Sequence, residues 1–74
     1  MNKTIYSKEY RTIIELLKKA RIESGLTQVE VAKKLKKPQS YISKCEARER
    51  RVDLLELTKL AKIYNKPVNY FIKM

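Results

Sequence analysis

Apolar residues recur along this chain at helical spacing, with charged and polar residues between them. Tyr10, Ile13, Ile14, Leu17 and Arg21 fall on one helical face, apolar except for the arginine. Ser7 stands where an N-cap is wanted, so the pattern predicts a first helix from Ser7 to about Ser24. Gly25 follows, where the lack of a Cβ suits a left-handed C-terminal cap. Thr27-Gln28-Val29-Glu30 then has the form of a capping box, with Leu26 and Val31 at the positions of a hydrophobic staple. The spacing predicts a second, short helix that turns Val31, Ala32 and Leu35 inward and ends in Lys36-Lys37-Pro38.

Pro38 suits the first residue or the cap of a third helix, because its fixed φ is already helical in value. The segment Gln39-Ser40-Tyr41-Ile42-Ser43-Lys44-Cys45-Glu46 has only Ile42 and Cys45 as small apolar anchors. A helix with so thin an apolar seam does not form alone, so neighbours must hold it with its polar face outward. Asp53 with Glu56, and Val52 with Leu57, repeat the cap and staple for a fourth helix. Leu54, Leu57, Leu60, Ala61 and Tyr64 continue it to Asn65-Lys66-Pro67, and Val68–Lys73 has room for one or two more turns. The expected fold is all-α, a compact bundle of four to five short helices. Residues 1–6 read as an N-terminal extension and 7–74 as a single domain. Ile5 and Tyr6 are apolar enough to pack, and the alternative is a disordered arm.

Length narrows the picture. At 74 residues the chain is near the lower limit of what folds alone, and a domain of this size buries only roughly 60% of its unfolded surface. Charge narrows it further: 18 lysines and arginines against 8 aspartates and glutamates give +10. Such a field attracts polyanions, whether DNA, RNA or anionic lipid. Cys45 is the only cysteine and histidine is absent, which argues against a disulfide scaffold and against any metal site or cofactor. Neither a signal-peptide pattern nor a membrane-spanning stretch is present, so the expected compartment is the cytoplasm, with no membrane partner and no small-molecule ligand. Cys45 reads as a small buried hydrophobe rather than a redox sensor. No catalytic set can be assembled, so an enzyme is not expected.

Two short helices joined by a tight turn, the second polar and flanked by lysines, have the geometry to enter a major groove about 12 Å wide. Gln39, Ser40, Ser43 and Lys44 carry the chemistry suited to base edges: Gln bonds bidentately to adenine, Lys donates to guanine, and Ser is permissive. From Lys33 to Arg51 the bases Lys33, Lys34, Lys36, Lys37, Lys44, Arg48, Arg50 and Arg51 are opposed only by Glu46 and Glu49. Lys37, Arg48, Arg50 and Arg51 are the candidate phosphate contacts, joined by Gln28 at the start of the second helix. Tyr41 either stacks on sugar–phosphate, as a further backbone contact, or packs against the fourth helix. Tyr64, Val68, Tyr70, Phe71 and Ile72 either close the core or form a symmetric dimer patch.

Thr27-Gln28, Ala32, Leu35, Gln39-Ser40, Ile42-Ser43 and Glu46 fall at the spacing of the Cro/repressor helix-turn-helix family, the Xre-like regulators, and the chain resembles that family from roughly Tyr10 to Tyr64. The resemblance implies a lambda-repressor-like DNA-binding domain, usually dimeric on palindromic operators. Members include phage repressors, restriction–modification controllers and antitoxins, and related proteins often dimerise through their last helices. The implied function is a transcriptional regulator, a repressor in particular, acting as a homodimer on double-stranded DNA. The alternative is a protein-interaction module with another protein as partner, such as the antitoxin of a toxin–antitoxin pair. RNA binding is disfavoured, since neither a sheet nor an aromatic cluster offers a stacking platform. The resemblance also implies that Arg21 pairs with Glu46 in a buried ion pair, against the alternative that Arg21 snorkels to solvent. One departure stands out: the family usually has glycine where this chain has Arg48. Either the backbone there takes a positive φ at a cost of about 1 kcal/mol or more, or Ala47–Arg51 continues as helix.

Overall fold

The computed structural model describes residues 7–72, all helix and connection, with no strand among them. The expectations for residues 1–6, including any packing of Ile5 and Tyr6, and for Lys73 lie outside the described residues. Helix α1 spans Lys8–Glu23, with Ser7 as its N-cap accepting from the Tyr10 amide at 3.0 Å. Helix α2 spans Gln28–Leu35 and opens on a complete capping box, Thr27 and Glu30 each satisfying the other's amide at 3.1 and 2.8 Å. Helix α3 is Gln39–Glu46 with Pro38 as N-cap. Helix α4 is Leu54–Ile63, where the Asp53 carboxylate accepts from the Glu56 amide at 2.7 Å. A single 3-10 turn, Val68–Tyr70, takes the place of a fifth helix.

Helices α1 to α4 end alike. One or two residues past the last helical residue, the chain takes a left-handed conformation: Gly25 at φ 73°, Lys36 at 59°, Arg48 at 62° and Asn65 at 56°. In each case the following amide reaches back to a carbonyl five residues earlier, as in Leu26 to Arg21, Lys37 to Ala32, Glu49 to Lys44 and Lys66 to Ala61. Arg48 therefore adopts the positive φ that a glycine would favour, and the third helix stops at Glu46 rather than running on.

The core draws on every helix. Tyr10, Ile14, Leu17 and Ala20 enter from α1, Val31 and Ala32 from α2, Tyr41, Ile42 and Cys45 from α3, and Leu57, Leu60 and Ala61 from α4. Tyr64 and Phe71 complete it, Phe71 being among the largest fully buried side chains. The staple residues Leu26 and Val52 pack against this core while staying partly exposed. Tyr70 meets Phe71 edge-on at 5.0 Å between ring centroids, and Lys66 lies over the Tyr70 ring at 4.8 Å, tying the last turn to the end of α4. No helix among the described residues is long and apolar enough to cross a membrane.

Candidate nucleic-acid interface

The polar face of α3 follows from its sequence. Tyr41, Ile42 and Cys45 occupy the inward positions, which leaves Gln39, Ser40 and Lys44 exposed and Ser43 half-buried. The Ser43 hydroxyl donates to the Ser40 carbonyl at 3.2 Å, so of the four it is the one already engaged by its own helix. Cys45 is buried, and burial pushes its thiol up to about 11. At neutral pH it is a protonated core residue, the opposite of a reactive thiolate.

Helix α3 is seated by an ionic cluster at its far end. Glu46 accepts from Arg21 Nε at 2.7 Å, from Arg21 Nη2 at 3.1 Å and from Gln28 Nε2 at 2.9 Å. Arg21 Nη1 donates to the Leu26 carbonyl at 2.9 Å. One carboxylate thus joins α1, the start of α2, and α3, with side-chain exposures of 12% for Arg21 and 8% for Glu46. The hydrogen bond to Glu46 raises the pKa of Arg21 against the opposing effect of burial. Gln28 is half-buried here, its amide nitrogen directed at Glu46.

A second arrangement orders the cations around α3. Tyr41 is buried at 6% exposure, and among the described residues its hydroxyl has no partner at hydrogen-bond geometry. Burial, with Glu56 close by, raises its pKa well above that of a free phenol. The ring carries two cations: Lys37 Nζ stands 5.4 Å and Arg50 Cζ 4.6 Å from its centroid. Lys37 also lies 3.7 Å from Glu56. Lys37, just before α3, and Arg50, just after it, are therefore brought together over one aromatic ring. Arg51 is exposed and Arg48 half-buried in the same loop.

Tyr10 holds that loop from the other side. Its hydroxyl accepts from the Val52 amide at 2.8 Å and donates to the Arg50 carbonyl at 3.4 Å. Burial raises its pKa, the Val52 hydrogen bond opposing. The sequence marks Tyr10 only as an apolar position on the first helix; nothing local signals a bond to a residue so far along the chain. Of the five C-terminal candidates, Tyr64 and Phe71 are buried in the core of their own chain, and Val68, Tyr70 and Ile72 remain half-exposed.

A short helix capped by a tight turn, followed by a second helix whose exposed face is polar and whose two ends carry cations, defines a helix-turn-helix DNA-binding module. The chain belongs to the helix-turn-helix family, of the Cro/C1 or Xre-like type, whose model it matches over residues 17–71. It is a DNA-binding protein of the transcription-regulator class. Comparison with curated proteins gave no significant match.

Proposed function

We propose that this chain is a sequence-specific transcriptional repressor that binds a palindromic operator as a homodimer in the cytoplasm. Gln39, Ser40, Ser43 and Lys44 read base edges, while Lys37, Arg48, Arg50 and Arg51 hold phosphates. The observation that carries the reading is the exposed polar face of α3 beside two cations, Lys37 and Arg50, gathered over the Tyr41 ring. Phosphate contacts of this kind orient a protein and give it most of its sequence-independent affinity, whereas base contacts select the site. Gln28 donates the second N–H of its Nε2 to a phosphate, the first being given to Glu46. Tyr41 supports the backbone contacts through the two cations on its ring. Occupying a promoter is enough to repress it, and two half-sites about 34 Å apart present the same face to two copies.

The test is selection from a random-sequence duplex library, followed by titration of the enriched sites at two salt concentrations. A palindrome should be enriched. Gln39→Ala and Lys44→Ala should each lose about 1–3 kcal/mol of discrimination at their own base positions. Arg51→Ala should weaken all sites equally and reduce the salt slope by about 1. Steep salt dependence with no enriched sequence would leave only a basic domain with nonspecific affinity.

A further inference from the structure

Glu56 stands three residues after the Asp53 cap of α4, as Glu30 stands after the Thr27 cap of α2. Glu30 returns its carboxylate to the cap, accepting from the Thr27 amide at 2.8 Å. Asp53 accepts from the Glu56 amide at 2.7 Å, yet among the described residues no return bond from the Asp53 amide to Glu56 completes the box. The Glu56 carboxylate crosses instead to the junction of α2 and α3. There it lies 3.7 Å from Lys37 Nζ and close to the Tyr41 hydroxyl. A local bond is forgone for a placement far along the chain.

That placement sets an acid against one of the cations proposed to hold phosphates. Among the described residues, Lys44, Arg48, Arg50 and Arg51 form no ion pair, whereas Lys37 has Glu56. Exposure within the pair is unequal, 42% for the Lys37 side chain and 13% for that of Glu56. The carboxylate, on the first turn of a packed helix, is the fixed member, and the lysine is the one with room to move. Glu56 and the Tyr41 ring, 5.4 Å from Nζ, hold the ammonium between them. Without such a tether a lysine swings on a flexible four-carbon stem and serves any phosphate within its reach.

We infer that Glu56 is a positioning residue that ties Lys37 to one place over the Tyr41 ring and so restrains binding to DNA that does not match the operator. The inference rests on the operator reading above, in which Lys37 holds a phosphate. A tethered ammonium meets a phosphate only where the DNA backbone passes that place, whereas a free one follows the backbone. Base contacts by α3 bring the operator backbone to that place. On other sequences the register is not fixed, and the tether withholds the contact. While tethered, Lys37 is partly neutralised by Glu56 and adds little to the counterions released in nonspecific binding.

The test is binding of the full chain to an unselected duplex and to a selected operator, each titrated at several salt concentrations. With Glu56→Gln, binding to the unselected duplex should tighten by about 2- to 5-fold, the worth of one exposed ion pair. The salt slope on that duplex should steepen by about 1. Operator affinity should change less, so the ratio of specific to nonspecific affinity falls. In a Lys37→Ala background the gain should vanish, which a merely structural role for Glu56 would not produce. Glu56→Asp, which keeps a charge in the first turn of α4 and withdraws it by one methylene, should shift binding the same way by less. Unchanged or weaker binding of either variant to the unselected duplex, an equal gain on the operator, or a gain that survives Lys37→Ala overturns the inference. If no operator can be selected, the operator reading fails, and the Lys37-dependent gain on the unselected duplex still decides whether Glu56 holds Lys37 back.

Discussion

Replacing Glu46 by alanine is the most searching test of how α3 is seated. The substitution removes an acceptor of three hydrogen bonds, two from Arg21 and one from Gln28. Arg21 would keep only its bond to the Leu26 carbonyl, and most of its guanidinium would be left without a partner among largely buried surroundings. Stranding a buried charge costs about 3–5 kcal/mol. The lower end applies here because both side chains retain some access to water, at 12% and 8%. A domain of 74 residues has a total stability of about 4–11 kcal/mol at the usual per-residue range. Glu46→Ala therefore removes a large part of it. With a urea m value of about 1 kcal/mol/M for so small a protein, the midpoint followed by helical circular dichroism should fall by roughly 3 M. Replacing both partners, as Arg21→Met/Glu46→Leu, removes the charges together and should come close to neutral. A single variant that loses less than about 1 kcal/mol, or a double variant as damaged as the single one, would refute the reasoning.

Arg48→Gly should relieve the left-handed strain and raise stability by about 1 kcal/mol in urea denaturation, while lowering DNA affinity at every sequence, so the two properties move in opposite directions. Tyr10→Phe leaves the Val52 amide without its acceptor; it should cost about 1–2 kcal/mol and weaken duplex binding by loosening the loop that carries Arg50 and Arg51. Burial raises the pKa of Tyr10, Tyr41 and Tyr64 above the ordinary 10.0. The folded state thus holds these protons more tightly than the unfolded one, and the stability this gives is present below pH 10 and lost as pH rises above it. Tyrosinate absorbance from these three should appear together with loss of helical circular dichroism, not as a separate titration of the intact fold.

The helices were legible because their starts carry chemistry that local sequence displays: Thr27 with Glu30, and Asp53 before a leucine-rich run. Their ends were less so. Gly25 announces a left-handed residue, but Lys36 and Arg48 do not, because packing on either side imposes that conformation against their own preference. The course of Ala47–Arg51 stayed open in the sequence for that reason. Periodicity showed Arg21 as an anomaly on an apolar stripe, and only the family resemblance supplied Glu46 as its partner. Gln28 beside Glu46, Tyr10 beside Val52, and two cations on the Tyr41 ring are long-range matches between side chains that have no signature in spacing. The C-terminal aromatics were legible as apolar, but the division between core and surface depended on tertiary packing, which takes in Tyr64 and Phe71 and leaves Tyr70 at the edge.

Of the left-handed helix ends, Lys36 and Arg48 bracket α3. Each holds a non-glycine residue in a conformation that costs about 1–2 kcal/mol, which is on the scale of the roughly 1–3 kcal/mol by which one mismatched base pair weakens a specific site. Packing outweighs that cost at both joints, so the tilt of the helix is imposed by the body of the domain and not by local preference. A helix held this way, with Tyr41, Ile42 and Cys45 buried, cannot swing without disturbing the core beneath it. Under the proposed reading, discrimination rests on the stiffness of two joints as well as on the side chains between them.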